Sequence, residues 1–346
     1  MDRGMMWVAL SLRTGMGVIR GRREVHAAGG VEAAWDRWAR QHSGEARDIE
    51  ARVKAMSAWL KARDMAIVGM DDARYPALLL EIPDAPLALY GWGSWPFRSA
   101  WSRALAVVGT RTRTAQGQAW AQEIALDWSG SGGRVVSGLA RGIDIAAHRG
   151  TAKGQAVVVL PCGLDAIHPR IHEAEAACMV ASGGLLLTER PPQTSVERWM
   201  FAARNRIITG LAPATVVVQS PSRGGSLISA QCALDQNREL YVFHPPTSSP
   251  RWSGNRSMVE DGWGDPVRDP THLWNVMAGL PSAFPGWQRS VPPACRPVWD
   301  GLSAKRALRL DELAVELDEA EVRRHVAVLV SLGLVARLPG RRYVRA

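Results

Sequence analysis

Two arginines flank an asparagine at Arg204-Asn205-Arg206, inside the run Trp199-Met-Phe-Ala-Ala-Arg-Asn-Arg-Ile-Ile-Thr-Gly-Leu211. Guanidinium groups make forked hydrogen bonds to phosphate, and an amide between them can take a base edge or a backbone carbonyl. The triplet reads as a grip for a multi-anionic partner. Three glycine-rich turns carry compatible chemistry. Gly109, Thr110 and Arg111 close an apolar run. Ser137, Gly138, Arg141 and Gly142 close a second, and Gly225 and Ser226 follow a third, preceded by Arg223. Small residues between a strand and a helix aim backbone N–H groups over a sheet edge, where open α/β sheets bind anions. Several such turns in succession, with the 204–206 triplet, build one long electropositive edge. A polymer suits that edge better than a single phosphate does.

Other polar pairs read as supports. Asp144 and His148 lie four apart, on one face of a helix, where Asp144 can satisfy free N–H groups and His148 can pair with it or pack below the ligand surface. His168 and His172 have the same spacing without an evident third ligand, so no metal site is expected. Gly-x-x-x-x-Gly-Lys-Ser/Thr, Gly-x-Gly-x-x-Gly after the first of these strands, and the Gly-x-Ser-x-Gly elbow are all missing. The edge is expected to bind rather than to catalyse, with no cofactor.

The elements that must position these residues are legible as alternation. Ala104–Val108, Gly133–Ser137, Ala156–Leu160, Gly184–Thr188, Thr215–Gln219 and Leu240–Phe243 are apolar runs of strand length. Helical stretches near 115–128, 143–153, 170–181, 197–210 and 226–236 separate them. This predicts an α/β fold: a mostly parallel, Rossmann-like sheet with helices on both faces. Residues 1–65 read as a small helical domain, with helices at Trp7–Leu12, Val31–Arg40 and Ile49–Arg63. Residues 66–245 form the sheet domain, with a lead-in at 66–103. Residues 246–297, rich in Pro, Ser, Gly and Trp, read as irregular linker. Residues 298–346 read as helix, helix and a basic hairpin around Pro339-Gly340, a winged-helix-like pattern.

The whole chain has 346 residues and a net charge of +9, a bias toward polyanions that a GC-rich, arginine-heavy codon usage also produces. Its four cysteines form no Cys-x-x-Cys pair, and no apolar run approaches the ~18 residues of a membrane span. A reduced, cytoplasmic protein without membrane contact is expected.

Taken together, the motifs resemble the DNA-processing protein A family, DprA, also called Smf. The resemblance runs from Asp71-Asp-Ala-Arg-Tyr-Pro76 and Ile82-Pro-Asp-Ala-Pro-Leu-Ala-Leu-Tyr-Gly91 through Gly109-Thr-Arg111, Ser137 to Asp144 with His148, and Gly163-Leu-Asp165 with Pro169. It continues through Thr188-Glu189 and Phe201 to Leu211, and ends at Gly225-Ser-Leu-Ile-Ser229. It implies a single-stranded DNA binder that protects incoming strands in natural transformation, helps load a RecA-type recombinase and self-associates as a homodimer. It also implies that Thr110, Arg111, Gly138, Arg141, Arg204, Asn205, Arg206, Gly225 and Ser226 grip phosphates. The chain departs from the family pattern at His168-Pro169, where Tyr-Pro is usual, and at Val218-Gln219-Ser220, where Val-Glu-Ala is usual. Trp199 and Phe201 are candidates to stack on bases, with core packing the alternative for Phe201. Two other readings stay open. One is a nucleotide or phosphosugar hydrolase using Asp144, His148 or Glu189. The other is a duplex-binding regulator using Arg323, Arg324, His325, Arg341, Arg342 and Arg345.

Overall fold

The computed structural model describes residues 1–96, 98–278, 295–302, 308, 310–313, 318–331, 335–338 and 342–345. Pro339, Gly340 and Arg341 of the expected hairpin lie outside the described residues, as does 279–294 of the expected linker.

Four helices lead the chain: α1 (Arg3–Ser11), α2 (Val18–Ala28), α3 (Val31–Gln41) and α4 (Ser43–Lys61). Asp2 caps α1, its carboxylate accepting from the Met5 amide at 2.8 Å. The helix not foreseen is α2, whose Gly21 lowers helix propensity. That glycine has a packing reason, since a Cβ there would lie 2.6 Å from a Leu87 methyl.

Next come β1 (Met65–Gly69), α5 (Ala77–Glu81) and β2 (Ala88–Gly93), within the lead-in. The alternation then unfolds as read: β3 (Ala104–Val108), α6 (Ala115–Gly130), β4 (Arg134–Ser137), α7 (Ile143–Gly150), β5 (Ala156–Val159), α8 (Glu173–Ala181), β6 (Leu185–Thr188), α9 (Arg198–Gly210), β7 (Ala214–Val217), α10 (Gly225–Asp235) and β8 (Glu239–Phe243). Ordered elements continue where irregular chain was expected, with α11 (Ser253–Glu260), β9 (Asp265–Val267) and α12 (Pro270–Ala278). The buried side chains of Trp252, Asn255 and Met258 fasten that segment. The chain closes with α13 (Arg296–Gly301), α14 (Leu310–Leu313), α15 (Glu319–Ser331), β10 (Val335–Leu338) and β11 (Arg342–Arg345).

The strands form one nine-stranded sheet in the order β1-β2-β6-β5-β4-β3-β7-β8-β9. From β6 to β8 every pairing is parallel, while β2 joins β6, and β1 joins β2, antiparallel. All five residues of β3 are buried, as a strand covered on both faces requires. Chain order runs outward from β3 in both directions. The sheet therefore has its topological switch point between β3 and β7, and a crevice opens beyond their carboxyl ends.

The leading helices share the sheet's apolar core, which runs without a break from Met5 and Trp7 through Leu89 and Val158 to Met258. Compact units divide the chain as Met1–Pro266 and Val267–Ala346. The second unit has its own core, with Val298, Leu302, Val322, Val326, Leu329, Val335 and Tyr343. Within it β10 and β11 pair antiparallel, and Leu308 bridges to Tyr343. Among the described residues no helix is long and apolar enough to cross a membrane.

Candidate nucleic-acid interface

The loop after β3 is held on both sides by backbone bonds. Thr110 donates its N–H to the Gln219 carbonyl at 2.7 Å and accepts from the Ile143 N–H at 3.1 Å. Its hydroxyl accepts from the Thr112 amide at 3.2 Å. Thr114 caps α6 by accepting from the Gly117 N–H at 3.0 Å. Behind the loop, the fully buried Gln219 amide accepts from the Thr114 N–H and hydroxyl at 2.9 and 3.1 Å and donates to the Arg251 carbonyl at 3.4 Å. With its backbone fixed, the loop presents Arg111 to solvent. The Arg111 guanidinium sits 4.9 Å from the centre of the Phe201 ring, and the same ring meets His168 edge-on at 5.4 Å. Burial first, then Arg111, hold the His168 imidazole below its ordinary pKa.

Across the crevice stands α9. Arg204 is only 5% exposed. Its Nη1 donates to the Gly138 carbonyl at 2.8 Å and also to the Val159 carbonyl. Gly138 is glycine for this reason: a Cβ would stand 2.3 Å from Nη1 of Arg204. Desolvation pulls the Arg204 pKa to about 10, with nearby Asp144 opposing the fall. Asn205 donates from Nδ2 to the Gly225 carbonyl at 3.1 Å and ties α9 to the start of α10.

Arg206 points elsewhere. A helix turns about 100° per residue, so positions two apart face roughly opposite ways. The Arg206 Nε meets Asp84 and its Nη2 meets Glu189, each at 2.7 Å. Burial lowers its pKa, but the two carboxylates outweigh that and leave it raised. The expected joint grip of Arg204 and Arg206 on one ligand is therefore not what the geometry supplies. One arginine lies beneath the crevice and the other is ion-paired away from it.

At the third turn Gly224 precedes α10 without any side-chain cap, leaving first-turn N–H groups open to an anion. The Ser226 hydroxyl is directed inward, to Ser220 Oγ at 2.9 Å. Asn255 of α11 steadies this turn. It accepts from the Ser220 N–H at 2.6 Å and donates to the Val217 and Val218 carbonyls at 3.3 and 3.4 Å.

These walls enclose a groove of about 1160 Å³ at the switch point. It gathers Gly109, Thr110, Arg111, Asp144, Arg204, Asn205, Gly225 and Ser226 from the expected set, together with Arg223. It adds Arg198 and Ile228, which the sequence did not single out, and it contains Trp199 and Phe201, the two candidates for base stacking. Arg111, Arg198 and Arg223 are exposed and form no ion pair among the described residues. Three expected residues hold the walls instead of lining the groove. Ser137 is buried and donates to the Val107 carbonyl at 2.6 Å. Gly138 accepts from Arg204, and Gly142 has φ +91° with a Cβ position 2.1 Å from the Thr110 carbonyl. Arg141 is exposed but does not line the groove.

Asp144 and His148 are both buried. Burial pushes the Asp144 carboxyl above its ordinary pKa, against Arg204 and the Ala140 and Gly138 amides, which favour the charged form. Asp144 thus serves the loop after β4 rather than the first turn of α7. Burial pushes the His148 pKa down to about 4, with the Ser137 backbone opposing the fall. His172 is directed to the Leu139 carbonyl at 2.9 Å, whereas His168 meets Phe201, so the two histidines serve different contacts.

The family described as DNA recombination-mediator protein A has a model that matches residues 66–278. Protein Smf of Escherichia coli (strain K12) is 35% identical over 212 residues, 61% of this chain and 56% of that protein. A Mycobacterium tuberculosis protein bearing the DNA processing protein DprA name is 31% identical over 353 residues, 93% of this chain and 90% of that protein. The chain thus spans little more than half the length of the Escherichia coli relative, and 58% of the Synechocystis Smf protein. Among solved structures, DprA of Streptococcus pneumoniae superposes with a TM-score of 0.56 at 26% identity, over 67% of this chain and 81% of that one. The Helicobacter pylori DNA processing protein A, described for its single-stranded DNA binding mode, has a TM-score of 0.56 at 24% identity, over 62% and 96%.

Proposed function

The chain belongs to the DNA recombination-mediator protein A family, and from that premise we propose that its switch-point groove binds single-stranded DNA through the phosphates. The observation that carries this reading is the set of three exposed, unpaired guanidiniums, Arg111, Arg198 and Arg223, around one open groove. The uncapped start of α10 adds N–H donors at Gly225 and Ser226. Thr110 and Asn205 shape the floor, Arg204 contributes a fixed charge from beneath, and Arg141 extends the basic surface outside the groove. Ser137, Gly138, Gly142, Asp144 and His148 are supports.

The description of the family as a recombination mediator supports a role in recombination; the setting in DNA uptake, the RecA-type recombinase partner and the homodimer are part of the same proposal, taken from the family resemblance. The hydrolase reading has less support, because His148 is buried outside the groove lining and Glu189 is ion-paired with Arg206. The helices α13, α14 and α15, followed by the antiparallel pair β10 and β11 around a separate core, support the winged-helix-like reading of 298–346.

The test is binding of a labelled oligothymidylate across a salt series by fluorescence anisotropy. Each phosphate contact contributes about 0.7 to the slope of log K against log salt for a single strand. Arg111→Ala with Arg223→Ala should weaken binding at low salt and flatten that slope by about 1.4. Unchanged affinity and slope in a folded double variant would rule out the groove as the binding site.

A further inference from the structure

Two aromatic rings line the groove, and they are placed differently. Phe201 is half-buried, with its ring engaged by Arg111 and by His168. Trp199 is 52% exposed and is the one aromatic among the exposed large apolar side chains of the described residues. An indole left in water forgoes much of its burial energy, so its position calls for a reason.

The Trp199 ring is also fixed in place. Its Nε1 donates to Glu197 Oε2 at 2.7 Å. The Arg190 guanidinium lies 4.9 Å from the ring centre and is itself paired with Glu189 at 3.3 Å. One face is thus backed by a cation and the ring edge is tethered, while the remaining surface faces the groove that holds Arg111, Arg198 and Arg223. Ile228, 42% exposed, adds a second apolar side chain to the same lining.

We propose that Trp199 is a preset platform on which a base of the bound single strand stacks, with Arg190 and Glu197 holding the indole in position. The proposal rests on the groove reading and adds a distinct contact to it. Guanidiniums and an open indole in one groove match the two surfaces a single strand offers, phosphates and unstacked base faces. A duplex keeps its base faces hidden, so the platform gives preference for single strands. Because every base has a π-face, the preference carries little sequence dependence.

The test compares a twelve-residue oligothymidylate with an abasic oligomer of equal length and charge, using full-length protein. Wild type should bind the base-bearing oligomer more tightly, and Trp199→Ala should reduce that ratio about tenfold while keeping the wild-type salt slope. Trp199→Phe should restore part of the ratio, and circular dichroism should show both variants folded. A Trp199→Ala protein with the wild-type ratio would overturn the platform. Wild type that binds both oligomers equally, with a normal salt slope, would overturn the platform and leave the phosphate groove standing. Wild type that binds neither would remove the groove reading and the platform with it.

Discussion

Arg204→Ala should behave as a stability variant first and a binding variant second. The buried guanidinium gives charged hydrogen bonds to the Gly138 and Val159 carbonyls, at about 1.5–3 kcal/mol each. Truncation strands both carbonyls and leaves Asp144 without its strongest compensating charge, since Arg204 is the largest favourable influence on that carboxylate. The two bonds alone sum to about 3–6 kcal/mol, which at about 2–4 °C per kcal/mol lowers Tm by about 6–24 °C. The contact with Gly138 sharpens the argument. Gly138→Ala would set a methyl 2.3 Å from Arg204 Nη1 and must push the guanidinium aside, at about 1–3 kcal/mol by overpacking. In an Arg204→Ala background the three nearest atoms to that methyl are gone, so the second substitution should cost less than in the wild type. A double-mutant cycle by thermal and denaturant unfolding should therefore show a coupling of at least about 1 kcal/mol. Additive costs, or an Arg204→Ala protein with unchanged Tm and lost DNA affinity, would refute the assignment of Arg204 as a buried support.

Three further outcomes follow from the same geometry. Arg206→Ala should destabilise by leaving Asp84 and Glu189 without their partner, yet keep the wild-type salt slope in the oligonucleotide titration. Gly142→Ala should destabilise by several kcal/mol in a chemical denaturation, because φ +91° disfavours a side chain and its Cβ would collide with the Thr110 carbonyl. His148 gives a pH signature. Its folded pKa, about 4, lies below the ordinary 6.5, so the unfolded chain binds the proton more readily. Stability from this group is complete above pH 6.5 and is lost as pH falls toward 4, by about 3 kcal/mol in all. Asp144, shifted upward, contributes with the opposite sign, so the comparison is made between wild type and His148→Gln. The variant should lose less stability between those pH values, and parallel curves would contradict the reading.

The central strands were legible because full burial writes itself as uninterrupted apolar runs, and β3 to β8 fall within a residue or two of the expected spans. The antiparallel pair β1 and β2 was not legible. Gly69 and Gly91 interrupt their pattern, and each is a seat for a tryptophan: a Cβ would lie 2.4 Å from the Trp7 ring and 2.3 Å from the Trp95 ring. Glycines that accommodate distant rings look, locally, like turn residues. The site was legible in its location but not in its division of labour. Gly138 looked like room for a ligand and is room for Arg204. The two-residue spacing of Arg204 and Arg206 already excluded a shared target, had helix geometry been weighed against the appeal of the triplet. Trp199 stands out in the sequence as a candidate for base stacking, but its neighbours Met200 and Phe201 have the composition of a core segment and do not tell which ring is exposed.

Gln219 has a consequence for the acid tolerance of the groove's anchor. Its amide accepts from Thr114 on one side and donates to Arg251 on the other, and its own carbonyl holds Thr110. A carboxylate at this buried position could accept the Thr114 bonds but would have nothing to offer the Arg251 carbonyl while ionised. Only on protonation would it gain a donor for that carbonyl while keeping an acceptor. The amide fills both roles at every pH, with no proton to gain or lose in the physiological range. The joint linking β7, the loop that carries Arg111 and the approach to α11 is thus insulated from acidity, even though His148 beneath the same sheet edge is not.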